Sequence, residues 1–279
     1  MRLLTLLLIL GCTGTATPEP SVDGVVATEV LVPIGDQDMS EAAREALLAR
    51  LSAELPTVER TGDHPCGAPS PGLTKALRGP GVAALVFDYA ADVTGAMGVA
   101  TSALAPSGSK PEPLPTDNPN DIDYDSRVQQ WACTYAPARA FDQDPATAWV
   151  EGVAGAGIGQ AIAVAVDPQQ PVEIWAGYGK SDAVFTSNAR PRQVRVTTLQ
   201  AHRMDYAEGT VEGAEIFGLV QVVDSHVVEL LDQNAWQPLA LPTKALDAGV
   251  RGLISIEILT TFPGAKYQDT CISEVRNTP

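Results

Sequence analysis

The chain has 279 residues, of which 45% are hydrophobic, and its 18 Lys and Arg against 34 Asp and Glu give a formal net charge of −16. This length and apolar content exclude disorder throughout the chain and predict one or two domains with buried cores. The negative charge argues against a nucleic-acid partner, because a phosphate backbone would repel it. Aromatic residues are only 5%, whereas Gly (24) and Pro (22) are abundant, which favours short strands joined by turns.

The N-terminus has the pattern of an export signal. Arg2 precedes an apolar run over residues 3–10, which is too short to span a bilayer. The run ends in Gly11-Cys12, and this resembles a bacterial lipobox, which implies cleavage after Gly11 and acylation of Cys12. The alternative is an ordinary signal followed by a chance cysteine. We therefore expect a signal peptide over 1–11, a lipidated tether over 12–23, and a membrane anchor at the bacterial envelope, on the outer membrane or cell surface.

Three further cysteines bear on the redox state of the exported chain. They are Cys66, Cys133 and Cys271, and an odd number permits at most one disulfide within the chain. Cys66 and Cys133 lie in polar, turn-rich surroundings, so we expect these two to pair. Cys271 lies among strand-forming residues, which predicts a buried thiol. No two cysteines have Cys-x-x-Cys spacing, which argues against a zinc site or a redox dithiol.

The first half of the chain predicts a small α/β unit over residues 24–95. Its pattern indicates a strand over 25–32, a helix from about residue 41 that ends at Pro56, a Gly/Pro-rich loop over 62–72, and a strand over 82–89. Residues 107–130, rich in Pro, Asp, Ser and Asn, predict a surface loop. The loop acids lack the spacing of an EF-hand, so we expect them to be solvated.

From residue 132 onward the pattern indicates strands throughout. Turn residues separate the β-prone runs, which predicts a β-sandwich or jelly roll. The fold class expected for the whole chain is therefore mainly β, a jelly-roll β-sandwich with a small α/β N-terminal unit. The predicted strands cover residues 161–166, 172–176, 193–198, 219–223, 226–231 and 252–259.

Residues 140–149 (Ala-Phe-Asp-Gln-Asp-Pro-Ala-Thr-Ala-Trp) resemble the signature loop of discoidin domains, also called coagulation factor 5/8 type C or galactose-binding-like domains. Two further matches, 177–181 with 188–191 and then 262–275, resemble the NADase-type glycan-binding branch, named for the translocation domain of a secreted NAD glycohydrolase. The resemblance implies a discoidin-like β-sandwich over 96–279, with a first strand over 97–102 and an acidic insertion over 107–130.

One departure from the family lies in the signature loop. Gln143 stands where the family usually has Gly. A positive φ at this position would strain or shift the turn, because a side chain disfavours that conformation.

The resemblance also implies two sets of site residues. Related sugar-binding modules hold a structural Ca²⁺ with this loop and a C-terminal Glu, and oxygen ligands suit such a hard cation. The alternative is a loop closed by hydrogen bonds without metal. In the second set, either the side chains bind a ligand or they form a fold-closing polar cluster in which Lys180 pairs with Asp269. The metal candidates are Asp142, Asp144, Thr147 and Glu274, and the ligand-binding candidates are Tyr178, Lys180, Arg190, Tyr267 and Asp269.

No motif in the sequence indicates catalysis. Gly155-x-Gly157-x-Gly159 precedes strand-like residues, so it predicts a hairpin turn rather than a dinucleotide site. The three histidines lack zinc spacing, and no Gly-x-Ser-x-Gly elbow is present. We expect a non-enzymatic, glycan-binding envelope lipoprotein with no nucleic-acid partner. The alternatives are a lipoprotein that docks an envelope protein without binding sugar, and a glycosidase that uses two carboxylates.

Overall fold

The structure, a computed structural model, describes residues 70–79, 82–89, 97–114, 122–206, 216–247 and 251–278. The predicted signal peptide, the tether with Cys12, Cys66, and the strand and helix predicted within 24–69 lie outside these ranges. In the described ranges, no helix has both the length and the apolar character needed to cross a membrane.

Eleven strands, from 2 to 17 residues long, and a few short helices make up the regular structure of the described residues. The helices are α1 (Pro71–Arg78), α2 (Ile122–Ala132) and α3 (Asp182–Ser187), and Pro137–Ala140 forms a 3₁₀ turn. The strands are β1 (Val82–Tyr89), β2 (Met97–Ala100), β3 (Trp149–Val150), β4 (Ala161–Val164), β5 (Val172–Trp175), β6 (Arg190–Tyr206), β7 (Ile216–Glu229), β8 (Gln237–Leu239), β9 (Arg251–Phe262), β10 (Cys271–Ile272) and β11 (Glu274–Asn277).

The strands form antiparallel layers around a common core. β1, β2, β4, β9, β6 and β7 are hydrogen-bonded in that order, and β7 pairs again with β1. β11, β5 and β8 form a separate three-stranded sheet, and β10 pairs with β3. Apolar residues of both layers meet in one cluster. The arrangement confirms the predicted mainly β, sandwich-like fold.

β4 is buried on both faces because each face packs against a different layer. Ile162 and Val164 join the core cluster that includes Ile174 of the three-stranded sheet. Ala161 and Ala163 join a second cluster that includes Leu73 of α1. Successive strand residues point to opposite faces, so the chain can place Ile and Val on one side and the small Ala on the other.

The start of α1 has the chemistry of a helix N-terminus. The Ser70 Oγ accepts a hydrogen bond from the Leu73 N–H at 3.2 Å, and Pro71 occupies the first helical turn. The helix then buries Leu73 and Ala76 in the second cluster. The sequence interpretation ended its loop at residue 72 and placed no helix after it, so α1 is a difference between expectation and structure.

β1 belongs to the same layer as the later strands. It matches the strand predicted over 82–89, pairs with β7 from Val82 to Phe87, and also pairs with β2. The expected boundary at residue 95 therefore does not separate β1 from the sandwich. The first strand predicted over 97–102 is present as β2, and it ends at Ala100.

Two other regions differ from the sequence prediction. The strands expected over 219–223 and 226–231 form one strand, β7, in which Asp224 pairs with Thr198 of β6. The expected loop over 107–130 contains most of α2. The Trp131 Nε1 donates to the Ser107 carbonyl oxygen at 3.2 Å, which connects the helix to the start of the insertion.

The cysteines adopt two different states. Cys133 is disulfide-bonded, whereas Cys271 is a free and buried thiol, as predicted. Burial raises the pKa of the Cys271 thiol, which keeps it protonated and unreactive. Because Cys66 lies outside the described residues, its pairing with Cys133 stays a prediction.

Candidate ligand-binding loops

The signature loop is attached to the sandwich by a buried tryptophan. Trp149 is fully buried in the main core, and its Nε1 donates to the Ser102 carbonyl oxygen at 2.9 Å. Its backbone pairs with Ile272 of β10, two residues before Glu274. The large apolar ring therefore fixes the loop beside the C-terminal segment that the resemblance implied as its partner.

Within the loop, Asp142 organises the turn. Its Oδ1 accepts the Asp144 N–H at 3.0 Å, and the Thr147 Oγ1 lies 2.8 Å from its Oδ2. Arg139 adds an ion pair, with 3.3 Å between Nη1 and Oδ2. Gln143, which lies between Asp142 and Asp144, has φ 68, the left-handed conformation that Gly adopts at lower cost. This is the strain that the departure from the family pattern predicted.

Glu274 closes the loop from the other side. It is fully buried at the start of β11, and its Oε1 accepts the Asp144 N–H at 3.1 Å. Its Oε2 is buried without a hydrogen-bond partner. Burial and the nearby Asp142 carboxylate raise the pKa of Glu274 to about 8. Arg139 offsets the charge of Asp142, so Glu274 is the carboxyl group that needs a proton or a further cation in this buried site.

The predicted metal residues therefore meet, with one exception in orientation. Asp142, Thr147 and Glu274 direct side-chain oxygens toward the inside of the loop, whereas the Asp144 carboxylate is exposed and accepts the Ala146 N–H at 2.9 Å. Among the described residues, no three His, Cys, Asp or Glu side chains are grouped as a metal site would group them. The loop offers two carboxylates and neutral oxygens, which is a set for a hard cation.

The second segment of the resemblance is a glycine turn that packs on the signature loop. The Gly179 N–H donates to the Ser273 Oγ at 2.8 Å, and that hydroxyl donates to the Pro145 carbonyl oxygen at 3.0 Å. Tyr178 is half-buried beside Cys271, and burial raises its pKa. Lys180 is exposed at the end of the turn. No ion pair between Lys180 and Asp269 occurs in the described ranges.

The guanidinium nitrogens of Arg190 all donate hydrogen bonds to other groups of the domain. Its Nε and Nη2 donate to the Asp232 carboxylate at 2.9 and 2.8 Å. Its Nη1 donates to the carbonyl oxygens of Asn188 and Pro263. The guanidinium is buried above the Phe185 ring, 5.2 Å from its centroid. These contacts indicate a structural role, so ligand binding by Arg190 stays a prediction that its contacts do not favour.

The third segment lies against the end of α3. The N–H groups of Lys266 and Tyr267 both donate to the Ser187 carbonyl oxygen, at 3.0 and 2.8 Å. The Tyr267 side chain is 43% exposed, and the Lys266 Nζ lies 4.8 Å from its ring centroid. Asp269 is partly buried, and its carbonyl oxygen accepts the Ala189 N–H. Of the predicted ligand-binding residues, Tyr267 and Lys180 are the exposed ones.

Glu151 is a buried charge that the sequence interpretation missed. Its Oε2 accepts the Val153 N–H at 2.8 Å, and its Oε1 accepts the Thr270 N–H at 3.2 Å. Desolvation raises its pKa despite these hydrogen bonds. Gly157, with φ 64, packs directly on the Glu151 side chain. The signal available in the sequence was the position of this acidic residue directly after Trp149-Val150, both of which are buried.

The glycine-rich segment has no dinucleotide geometry. It connects β3 to β4, a strand follows it instead of a helix, and β3 pairs with β10 rather than with β4. The predicted turn is therefore present, although it does not join a hairpin. Gly155, Gly157 and Gly159 all have positive φ, which explains the spacing of the three glycines.

Comparisons with solved structures give weak likenesses. An arabinofuranosyltransferase AftD from Mycobacteria is 18% identical, with 72% of this chain and 11% of that chain covered and a TM-score of 0.32. A Ruminococcus gnavus GH29 fucosidase mutant in complex with fucose is 11% identical, with 67% and 26% covered and a TM-score of 0.24. The chain thus spans about a tenth and about a quarter of these proteins, and at such TM-scores neither carries an argument. No curated protein matches the chain.

The match to a family profile is much more extensive. The profile described as "NAD glycohydrolase translocation F5/8 type C domain" matches residues 115–278, more than half of the chain. The match includes the signature loop, the glycine turn and the segment around Glu274, whose contacts join them in the structure. The chain therefore belongs to the NAD glycohydrolase translocation F5/8 type C domain family.

Proposed function

We propose that the chain is an exported, lipid-anchored envelope protein whose F5/8 type C domain binds glycans and catalyses no reaction. The observation that carries this proposal is the preorganised loop cluster, in which segments distant in sequence are hydrogen-bonded at Ser273 and Glu274. Membership of a translocation and binding family supports it. Loops that are already ordered lose little entropy on binding, which suits recognition by a rigid scaffold.

We also propose that the signature loop takes a structural Ca²⁺. The buried Glu274 Oε2 without a partner and the adjacent Asp142 carboxylate support this, because a divalent cation would neutralise both charges. Asp142, Glu274 and the Thr147 hydroxyl would hold the cation. Its contribution would be to stabilise the loop, not to act on a ligand.

The carboxylate pair does not favour a glycosidase. A glycosidase needs two carboxyl groups about 5 to 9.5 Å apart that flank an accessible sugar bond. Asp142 has a side chain that is only 5% exposed, and Glu274 is fully buried under the loop. A sugar bond has no access to such a pair, so the raised pKa of Glu274 supports a structural role in a binding module.

The lipid anchor has a direct test. In a bacterium that processes lipoproteins, the full-length chain should incorporate labelled palmitate and sediment with membranes. Cys12→Ser should abolish the labelling and release the protein. A chain that stays unlabelled while Gly11-Cys12 is intact would contradict the anchor and would leave the binding proposal standing.

Glycan binding is tested on a glycan array with the full-length Cys12→Ser chain, in calcium and in chelator. Retention of a defined set of glycans supports the proposal, and no retention in either condition overturns it. Combining Tyr178→Ala with Tyr267→Ala should weaken the binding if the tyrosine loops contact the sugar. Unchanged binding by that double variant would remove the tyrosines from the site without removing the function.

A further inference from the structure

Two indole rings lie together on the outer side of the three-stranded sheet. On β5, Val172 and Ile174 are buried in the core, whereas Glu173 and Trp175 alternate with them and are partly exposed. Trp236 directly precedes β8, and its ring centroid lies 5.6 Å from that of Trp175 at an interplanar angle of 77°. Neither indole belongs to the described core clusters, so core packing does not account for the pair.

Polar side chains fix the orientation of both rings. The Trp175 Nε1 donates to the Asn234 Oδ1 at 2.9 Å, and the Asn234 Nδ2 donates to the Asp182 Oδ1 at 2.7 Å. Arg276 lies over the Trp236 ring at 3.7 Å from its centroid, and its Nε donates to the Glu173 Oε1 at 2.6 Å. The result is a partly exposed surface made of the two indoles and the guanidinium that is stacked on Trp236, with a rim of fixed hydrogen-bond donors and acceptors around it. We call Trp175, Trp236 and this rim the indole platform.

The indole platform adjoins the loop cluster. A Cβ atom on Gly179 would lie 2.7 Å from the Trp175 Nε1 and 2.7 Å from the Pro145 carbonyl oxygen. The glycine turn therefore lies between the signature loop and Trp175, and only Gly fits there. The exposed Lys180 follows at once, which places one predicted ligand-binding residue beside the platform.

The chemistry of the platform selects a class of ligand. Pyranose rings present C–H faces that pack on indoles and equatorial hydroxyls that bind to carboxylate, amide and guanidinium groups. An anionic ligand is disfavoured by Glu173 and Asp182 and by the net charge of −16. A purely apolar partner would remove water from the Arg276–Glu173 ion pair without offering it any new hydrogen bond. A neutral sugar can pack its C–H face on the indoles and hydrogen-bond its hydroxyls to the polar groups of the rim.

We propose that the domain binds neutral pyranose residues on the indole platform formed by Trp175 and Trp236, with Asn234, Arg276 and Glu173 as hydroxyl partners. This inference rests on the proposed glycan-binding function and assigns its site. The platform, rather than the two tyrosine loops, then supplies most of the affinity.

The test uses the full-length Cys12→Ser chain and a neutral glycan that it retains on the array. Trp236→Ala is expected to lower the affinity at least tenfold, and Asn234→Ala to lower it severalfold, each measured well below the melting temperature of that variant. Trp131→Ala, which removes a partly buried indole on α2, is the matched control and should bind like the parent. Binding that Trp236→Ala leaves intact overturns the platform but not the glycan-binding function.

Fluorescence provides a readout that a purely structural role would not change. Sugar addition should alter the tryptophan emission of the parent and of Trp131→Phe, and the change should be lost in Trp236→Phe. If emission changes equally in all three proteins, the sugar binds elsewhere and the inference is wrong. A parent chain that retains no glycan overturns the proposed function and this site together.

Discussion

Glu274 and Trp175 lie directly opposite one another on the paired strands β11 and β5. Directly opposite residues of an antiparallel pair share one face of the sheet. Glu274 is buried under the signature loop, whereas Trp175 remains partly exposed beyond it. One sheet face thus holds both the loop-closing carboxylate and the start of the indole platform, so changes to the charge of Glu274 should affect the stability of this region.

The stability of the domain should depend on the protonation of Glu274. Its pKa rises from 4.5 to about 8 on folding. Its contribution to the free energy of unfolding is therefore complete below about pH 4.5 and is lost as the pH rises to about 8. In that window the free energy of unfolding falls by at most about 1.4 kcal/mol per pH unit. Glu274→Gln should flatten this dependence in urea titrations at pH 5 and 8 in chelator. Glu229→Gln, an exposed position, should keep the parent's slope.

Calcium should reverse the destabilisation at high pH. Binding requires Asp142 and Glu274 to be ionised, so calcium should raise the melting temperature more at pH 8 than at pH 6. Asp142→Asn and Glu274→Gln should each abolish the increase, measured by thermal scans in calcium and in chelator. Equal melting curves of the parent in both buffers at pH 8 would show that a proton, not calcium, closes the loop.

Replacing Gln143 by Gly should stabilise the protein. Gln143 has φ 68, and a side chain in the left-handed region costs roughly 1 to 2 kcal/mol. Gly would remove this cost, but it would also make the unfolded chain more flexible, which offsets part of the gain. We expect Gln143→Gly to raise the free energy of unfolding by about 1 kcal/mol in urea titrations. Gln169→Gly, at an exposed position without positive φ, should give no gain. A lower free energy of unfolding for Gln143→Gly than for the parent would contradict the inferred backbone strain.

The two neighbouring glycines of the β3–β4 connection should respond differently to Ala. Gly155 has φ 98 and open space around it, so Gly155→Ala should cost only backbone strain, about 1 kcal/mol. A Cβ on Gly157 would lie 2.4 Å from the Glu151 Cγ, so Gly157→Ala should cost at least about 2 kcal/mol more because the buried carboxylate must move. Denaturant titration of the two variants measures the difference, and equal losses would show that the Glu151 contact is unimportant.

Arg190→Lys separates a structural role from a ligand-binding role. Lysine lacks the planar fork that donates to Asp232 and to two carbonyl oxygens, so the variant should lose about 2 kcal/mol of stability. Its affinity for a retained glycan should stay unchanged below its melting temperature. A variant with normal stability and lost binding would restore Arg190 to the ligand-binding set.

The sequence predicted those parts of the fold that local patterns encode. β1, β4, β5 and β9 coincide closely with expected runs because β-prone residues bounded by turn residues are local signals. The N-cap of α1 was also a local signal at Ser70-Pro71, but the many nearby Gly and Pro residues favoured a loop. α2 was missed because acidic and turn-forming residues dominate its surroundings.

The candidate site was predictable only where the family resemblance covered it. The meeting of Asp142 with Glu274 came from that resemblance, because two residues so far apart in the chain give no local signal. Trp175 and Trp236 come together through the β5–β8 register, and the sequence showed them as isolated aromatics. The double contact of Arg190 with Asp232 depends in the same way on tertiary structure.

The two-sided burial of β4 sets the minimum length of a fragment that can fold. The family match starts at residue 115, yet Ala161 and Ala163 are covered by Leu73 and Leu85, which precede it. A fragment cut at residue 115 would expose this apolar surface and, with β1 and β2 removed, the edges of β4 and β7. The stretch that the family profile matches is thus shorter than the stretch that has to fold together. Expression of residues 115–278 alone should therefore give aggregated protein.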